Sequence, residues 1–266
     1  ARRQRQMCIR DSFNQKGGVG KTTTNINLSA CLAMKGKKVL VVDIDPQGNT
    51  TSGIGLVKRK LQYTIYDVIV NKDFDISKAI LHTKTEGLDI LPASVDLAGA
   101  EIELVNLEGR ERRLKKAIDK VKPLYDFVFI DCPPSLGLLT INSLTAVDSV
   151  LIPIQCEFYA LEGVSQLMST VEMVRKNMNP NIEIEGVILS MFDGRTNLSL
   201  QVVQEVKKYF GSKVFSTIIP RNVRLAEAPS YGLPIVKYDP KSKGAKAYQQ
   251  FATELLRRER QKKDDK

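Results

Sequence analysis

Short apolar runs alternate along the chain with longer stretches in which apolar residues recur at helical spacing. Each run is continuous instead of alternating with polar residues, which is typical of parallel strands that are buried on both faces. The runs predict strands at 38–45, 88–92, 125–131, 149–154, 185–191, 214–220 and 234–236.

The segments between these runs have the periodicity of amphipathic helices. The first of them, 22–34, is followed by Gly36, and glycine commonly ends helices. Because strands alternate with helices, we predict an α/β fold with a doubly wound, mainly parallel sheet and helices on both faces. No internal repeat or low-complexity linker divides the chain, so we expect a single domain over 13–256. The other predicted helices cover 101–121, 161–177, 199–210 and 243–258.

Both ends of the chain depart from this pattern. The strand expected before the first helix is interrupted by Arg10 and Asp11, although a buried parallel strand should be continuously apolar. We therefore interpret 1–12 as an artefactual basic segment that replaces the natural start, with a native basic arm as the alternative. At the other end, the charged segment 257–266 is expected to be a disordered basic tail.

Composition and charge narrow the classes of function. The 266 residues carry a formal net charge of +10, which suggests a polyanionic partner. No apolar run approaches the roughly 18–20 residues that span a bilayer, and no signal peptide is visible, so we expect a cytoplasmic protein. His82 is the only histidine, which argues against histidine-based catalysis or a histidine metal site.

A glycine-rich stretch precedes the first helix and reads Lys16-Gly17-Gly18-Val19-Gly20-Lys21-Thr22-Thr23. Its glycines let backbone N–H groups approach an anion closely, and the start of the helix adds unpaired N–H groups and a positive dipole end. In a phosphate-binding loop of this kind, Lys21 contacts the β- and γ-phosphates and the Thr22 hydroxyl ligates Mg²⁺. Gln15 stands where the usual motif has its first glycine, and Lys16 is an additional cation.

Three carboxylates lie at the ends of apolar runs, at the edge where such sheets bind ligands. Asp43 and Asp45 end one run, and Asp131 ends another. Beside a phosphate loop, one strand-end aspartate can hold Mg²⁺ through a water and another can orient the attacking water. We expect Asp131 to take the first role and Asp45 the second. Asp43 is equally compatible with a functional role and with capping the turn that follows it.

Five segments follow one another along the chain, at 16–23, 41–49, 129–134, 195–198 and 219–230. The first three resemble the deviant Walker A motif, the second motif and the Walker B segment of the ParA/MinD ATPases. The last two are similar to the ParA/Soj chromosome-partition branch of that family. The order of the motifs makes coincidence negligible, and the resemblance covers about 13–256.

This resemblance implies roles for individual residues. Lys16 corresponds to the signature lysine, which reaches the phosphates bound by a partner subunit in an ATP-dependent homodimer. Arginines at the positions of Arg195 and Arg224 hold double-stranded DNA without sequence preference. Pro220 and Asn222 lie in the segment that packs against adenine. A ParB/Spo0J-like centromere-binding protein stimulates hydrolysis in this family, so we expect a DNA-partition ATPase that associates with the nucleoid.

The sequence thus predicts one composite site for ATP and Mg²⁺. Thr22 and Asp131 are the expected Mg²⁺ residues, and Lys16, Lys21 and Asp45 are the expected catalytic residues. The residues expected to bind nucleotide are Lys16, Gly17, Gly18, Val19, Gly20, Lys21, Thr22, Thr23, Pro220 and Asn222.

Other classes of protein share this type of loop. A membrane-cycling ATPase of the MinD or FlhG kind needs an amphipathic C-terminal helix, and 257–266 offers no apolar face. An electron-transfer ATPase of the nitrogenase iron-protein kind needs cluster-ligating cysteines; Cys132 lies within the Walker B segment and Cys156 has no matching partner. A metabolic ligase or synthetase also stays open. We keep the membrane-cycling ATPase as the main alternative, and we expect no membrane partner.

Overall fold

The computed structural model describes residues 5–9, 20–135, 137–157 and 160–264, which are organised around one eight-stranded sheet. The order of strands across the sheet is β3-β4-β2-β5-β1-β6-β7-β8. β3 is antiparallel to β4, and the other neighbouring pairs are parallel. The strands are β1 (Arg5–Ile9), β2 (Val39–Asp43), β3 (Leu81–His82), β4 (Leu88–Leu91), β5 (Phe127–Asp131), β6 (Ser149–Gln155), β7 (Glu183–Phe192) and β8 (Val214–Pro220).

Helices cover both faces of this sheet, and short 3₁₀ turns occur in several connections. The helices are α1 (Lys21–Met34), α2 (Asn49–Gly53), α3 (Ile65–Val70), α4 (Leu97–Leu104), α5 (Arg113–Val121), α6 (Leu138–Ala146), α7 (Ala160–Asn177), α8 (Asn197–Phe210), α9 (Val223–Glu227), α10 (Ile235–Tyr238) and α11 (Lys243–Asp264).

Alternate side chains of the central strands pack on opposite faces of the sheet. In β2, Val39 and Val41 pack into a cluster with α1, α10 and α11, whereas Leu40 and Val42 pack into a second cluster with α3 to α8. All four side chains are buried, which explains why the run is continuously apolar, because neither face of the strand meets water. The predicted doubly wound α/β fold is confirmed.

The parallel strands bring the predicted carboxylates to one edge of the sheet. Asp43 ends β2 and Asp131 ends β5, and the two residues are direct neighbours across the strand pair. Both side chains are buried. Since α1 begins at this same region with Lys21, the sequence-distant motifs meet at the carboxyl ends of the strands.

Two predicted elements are wrong. The single helix predicted over 101–121 is divided into α4 and α5, because Gly109 between them takes a φ of +63° that does not continue a right-handed helix. The strand predicted at 234–236 is replaced by α10. There the backbone N–H of Ile235 donates to Asn27 Oδ1 at 2.7 Å, which holds this segment against α1.

The N-terminal segment contributes a central strand. β1 lies between β5 and β6, with Met7 in register with Phe129 on one side and Ser149 on the other. The strand is therefore formed by residues inside the segment 1–12 that we interpreted as artefactual. Its described residues end at Ile9, so Arg10 and Asp11, whose charges argued against a strand, lie outside them.

The described part of the C-terminal segment, 257–264, also differs from the expectation of a disordered tail, since α11 continues to Asp264. The Arg258 guanidinium lies 4.0 Å from the ring centre of Phe215 and donates to the carbonyl of Val214 at 2.7 Å. Lys262 forms an ion pair with the buried Glu185. Charges that look free in the sequence therefore anchor the end of the helix to the edge of the sheet.

Glu254 is the main polar anchor between α11 and β8. Its carboxylate accepts hydrogen bonds from the backbone N–H groups of Ser216 at 2.7 Å and Thr217 at 2.8 Å, and from the Thr217 hydroxyl at 2.7 Å. Burial opposes ionisation, but these donors and Arg258 hold the pKa of Glu254 below its usual value.

We predict that Glu254→Gln lowers the free energy of unfolding at pH 7 by roughly 3 kcal/mol, because buried donors lose their charged acceptor. Urea unfolding of both proteins measures the difference. The depressed pKa means that the wild-type carboxylate stabilises the fold above the unfolded-state pKa and loses that contribution as the pH falls. The difference between the two proteins should therefore shrink below about pH 4.5.

The exposed Glu205 on α8 provides the control. Glu205→Gln removes the same charge without a buried hydrogen-bond network, so its unfolding free energy should stay within about 0.5 kcal/mol of wild type. Equal stabilities of Glu254→Gln and Glu205→Gln at pH 7 would refute the anchoring role.

Candidate functional site

Two of the predicted site residues, Gly20 and Lys21, lie at the start of α1. Gly20 is the residue before the helix, and its carbonyl accepts the N–H of Thr24 at 3.0 Å. Lys21 is 95% buried, and its ammonium donates to the backbone carbonyl of Cys132, just after β5. The predicted residues Lys16, Gly17, Gly18 and Val19 lie outside the described residues.

Asp131 lies at the centre of the site. Its Oδ2 accepts hydrogen bonds from the hydroxyls of Thr22 at 2.9 Å and Thr50 at 2.6 Å. Burial raises the pKa of Asp131, and the ammonium of Lys21 and the two hydroxyls oppose that rise. The other oxygen, Oδ1, is buried without a hydrogen-bond partner among the described residues. A buried carboxylate oxygen of this kind calls for a missing partner, such as a bound ion or water.

This donor set fits Mg²⁺ bound together with a nucleotide. Mg²⁺ prefers oxygen ligands and usually keeps several waters while taking one or two protein groups and substrate phosphates. Asp131 Oδ1 and the Thr22 hydroxyl provide two oxygen atoms of this kind next to the start of α1. In the part of the chain that the structure describes, no three His, Cys, Asp or Glu side chains form a metal-binding group. An ion here would therefore take its remaining ligands from phosphate and water.

Asp43 is a structural brace beside this centre. Its Oδ2 accepts from the backbone N–H of Thr51 at 2.8 Å and from the Thr51 hydroxyl at 2.7 Å, and its Oδ1 accepts from the N–H of Asp45 at 3.3 Å. The Thr51 hydroxyl in turn accepts the N–H of Ala93 at 3.0 Å. Burial, followed by the charge of Asp131, raises the pKa of Asp43 to about 7. The geometry accounts for Asp43 as the cap of the following turn.

Asp45 begins the turn that leads from β2 to α2. Its Oδ1 accepts the N–H of Gln47 at 2.9 Å, and the side chain is largely buried. The ammonium of Lys58 donates to the carbonyl of Gln47 from the other side of the turn. Gly48 has a φ of +59°, and any β-carbon there would lie 2.8 Å from Lys58 Cε. The Asp45 turn is therefore fixed by both its own cap and Lys58.

A cavity of about 260 Å³ adjoins the first turn of α1. The predicted nucleotide-binding residues Thr23, Pro220 and Asn222 all line it, together with Tyr248. The Asn222 side chain accepts the N–H of Arg224 at 2.9 Å and so caps α9, which fixes the wall of the cavity. The structure thus brings together residues that are about 200 positions apart in the sequence.

The two predicted DNA-binding arginines are exposed and paired with acids. The Arg195 side chain is 88% exposed and contacts Asp193 at 2.7 Å. The Arg224 side chain is 55% exposed and contacts Glu227 at 3.0 Å and Asp239 at 3.5 Å. Exposed ion pairs contribute only about 0–1 kcal/mol to the stability of a folded protein. Exchanging a carboxylate partner for a phosphate therefore costs little free energy.

Sequence reasoning missed the hydroxyls that complete the site. Thr50 contacts Asp131, and Thr51 contacts Asp43. Both follow directly after the segment 41–49, so a pair of hydroxyl residues next to a carboxylate motif was the available signal. Their different partners depend on how α2 packs against the ends of the strands, which the sequence does not show.

Comparison with known proteins agrees with this geometry. The model of the AAA domain family AAA_31 matches residues 8–184. The chain is 61% identical over 242 residues to the sporulation initiation inhibitor protein Soj of Bacillus subtilis (strain 168), which covers 91% of this chain and 95% of that protein. It is 52% identical over 255 residues to the chromosome partitioning protein ParA of Myxococcus xanthus (strain DK1622), covering 96% and 89% of the two chains.

A solved structure supports the same architecture. The crystal structure of cobyrinic acid a,c-diamide synthase from Mycobacterium smegmatis with bound ADP and magnesium has a TM-score of 0.82 and 39% identity to this chain. The likeness covers 96% of this chain and 95% of that structure. Identity to the Soj and ParA relatives is higher, at 61% and 52%. The chain therefore belongs to the Soj/ParA family of chromosome-partitioning ATPases.

Proposed function

We propose that this protein is a DNA-partition ATPase whose ATP-bound homodimer binds double-stranded DNA without sequence preference. Hydrolysis stimulated by a ParB/Spo0J-like centromere-binding partner then releases the DNA, and the cycle takes place in the cytoplasm on the nucleoid. The observation that carries the proposal is the buried carboxylate of Asp131, bound by Thr22 and Thr50, with no partner for its Oδ1 in the described part of the chain. The 61% identity to Soj favours a partition cycle over other uses of the site.

The chain provides separate groups for binding and for chemistry. Lys21 would give up its bond to the Cys132 carbonyl and donate to the β- and γ-phosphates, while Thr22 and Asp131 would hold Mg²⁺. When bound, this ion neutralises charge that develops on the phosphates. Asp45 orients the attacking water, because Oδ1 is fixed by the N–H of Gln47 while the second oxygen keeps its acceptor capacity.

The cavity beside α1 is the proposed adenine site. Its volume of about 260 Å³ and its mixed lining suit a planar base that needs apolar contact and a few polar groups. Pro220 supplies an apolar wall, and Asn222 is held in place by its cap on α9. Thr23 connects this cavity to the phosphate-binding start of the helix.

Dimerisation depends on Lys16 in this proposal. The γ-phosphate concentrates negative charge, and a cation supplied by a second subunit stabilises that charge as an arginine finger does. ATP but not ADP offers the full charge, so the nucleotide controls whether two subunits associate. The support for this step is the resemblance of 16–23 to the deviant Walker A motif.

DNA binding rests on the exposed arginines. Arg195 and Arg224 can exchange weak surface ion pairs for DNA phosphates. Contacts of this kind carry no sequence information, and they weaken as salt rises because binding releases condensed counterions. A dimer doubles the number of such contacts, which links DNA affinity to the nucleotide state.

The membrane-cycling alternative receives less support. In α11 two of the charged residues near the described end are engaged within the molecule, with Arg258 on Phe215 and Lys262 on Glu185. Such a helix is used for packing against the sheet. No helix in the described ranges has the length and apolar content needed to cross a bilayer.

Lys21→Ala should weaken ATP binding by at least about 100-fold, because a nearly buried cation that contacts the phosphates is lost. Titration calorimetry with ATP and Mg²⁺ measures the affinity. Lys35→Ala, just after the other end of α1, is the matched control and should bind ATP like the wild type. Tight ATP binding by Lys21→Ala would contradict the assignment of the phosphate site.

Lys16→Ala should keep ATP affinity within a few-fold of wild type but abolish ATP-dependent dimerisation, because its proposed contact crosses the subunit interface. Light scattering of the ATP-loaded protein measures the mass, with the ADP-loaded protein as the monomeric reference. An ATP-dependent dimer of Lys16→Ala would remove this lysine from the switch.

Arg195→Glu should weaken binding of the ATP-loaded protein to a random-sequence duplex by at least about tenfold and lower the slope of affinity against salt. Fluorescence anisotropy at several salt concentrations measures both quantities. Arg112→Glu reverses the charge of an exposed arginine on another surface and should have a much smaller effect.

Two companion measurements complete this test. Light scattering should give the same ATP-dependent dimer for Arg195→Glu as for wild type, which separates DNA contact from dimerisation. Co-sedimentation of the wild-type protein with DNA or with anionic liposomes, each with ATP and with ADP, should show ATP-dependent binding to DNA only. ATP-dependent sedimentation with liposomes would instead establish the membrane-cycling function.

A further inference from the structure

A second cavity, between α3 and α5, shares no residue with the nucleotide site. Its volume is about 190 Å³. One side is apolar and consists of Val68, Phe74 and Ala117. It is large enough for a phosphate group with a few further atoms, and it is smaller than the cavity of about 260 Å³ beside α1.

Cations dominate the polar side of this cavity. Arg113, Lys116 and Lys120 follow one another at spacings of three and four residues, so they lie along one face of α5. Lys72, from the turn after α3, adds a fourth positive charge. Among the described residues, none of the three lysines forms an ion pair. Like charges so arranged repel each other unless an anion lies between them.

The acidic residues nearby do not neutralise this group. Asp73 and Glu108 also line the cavity, which leaves an excess of two positive charges over its lining. Asp75, at the margin, is close enough to Lys120 for the lysine charge to help lower the pKa of Asp75, although its hydrogen bonds with Ser77 contribute most.

Arg113 places a fixed positive charge at the cavity. Its guanidinium is held by Nη1, which donates to the carbonyls of Val70 at 2.9 Å and Ile69 at 3.3 Å at the end of α3. Its Nε is enclosed by the surrounding packing and has no acceptor among the described residues, so other parts of the side chain line the cavity.

We propose that this cavity is a binding site for a small phosphate-bearing anion. The guanidinium of Arg113 and the ammonium groups of Lys116 and Lys120 neutralise the charge of the phosphate. The apolar side accommodates the few carbon atoms of a phosphorylated metabolite. Because Arg113 also holds the end of α3, the bound anion fastens α5 to α3.

Titration calorimetry with inorganic phosphate tests this site in the full chain. The protein is saturated with ADP and Mg²⁺, so that its nucleotide site is filled, and ionic strength is kept constant with chloride. The wild type should bind phosphate at one site. The double variant Lys116→Ala/Lys120→Ala should bind it at least about tenfold more weakly, which corresponds to a loss of about 1.4 kcal/mol.

Two further variants make the result specific. Lys115→Ala removes a lysine of the same helix that is paired with Asp119 at 3.0 Å, so its phosphate affinity should equal that of the wild type. Arg113→Lys keeps the charge but loses the planar guanidinium that the carbonyls of Val70 and Ile69 hold in place, and it should weaken binding as well. Absence of phosphate binding by the wild type, or equal affinity in the wild type and the double variant, overturns the proposal.

Discussion

The buried carboxylate of Asp131 is the group around which the functional edge of this protein is arranged. Removing a carboxylate from water costs several kcal/mol unless a cation and hydrogen-bond donors surround it. Lys21 and Thr22 from α1 and Thr50 from α2 meet that requirement at the end of β5. One charge therefore fixes the relative positions of three segments that are distant in sequence. These groups leave the other oxygen of Asp131 without a partner within the described ranges.

The neighbouring carboxylate, Asp43, has a different role because it has different hydrogen-bond partners. Asp43 lies beside Asp131 in the strand register, yet its oxygens are used by Thr51 and by the N–H of Asp45. Because the Thr51 hydroxyl also accepts the N–H of Ala93, this network joins the ends of β2 and β4 through α2. A turn held in this way can keep Asp45 in place while the nucleotide changes.

The charges of the chain divide into internal and external groups. Lys262 and Arg258 stabilise the end of α11, and Glu254 pairs with backbone donors of β8. The net charge of +10 therefore does not measure the cations available to a polyanion. Arg195, which is 88% exposed, belongs to the available group. For a DNA-binding surface, the position of each cation matters more than their sum.

The sequence by itself determined the fold class, the family and the carboxyl-end location of Asp43, Asp45 and Asp131. Continuous apolar runs report burial on both faces, and parallel strands necessarily bring their ends to one edge. Local spacing could not show that Gly109 divides a long helix, that 234–236 packs as α10 or that 257–264 is helical, because tertiary contacts decide each case. Likewise, only the packed structure distinguished the role of Asp43 from that of Asp131. Both are strand-end aspartates in sequence, and their roles differ because α2 delivers Thr51 to one and Thr50 to the other.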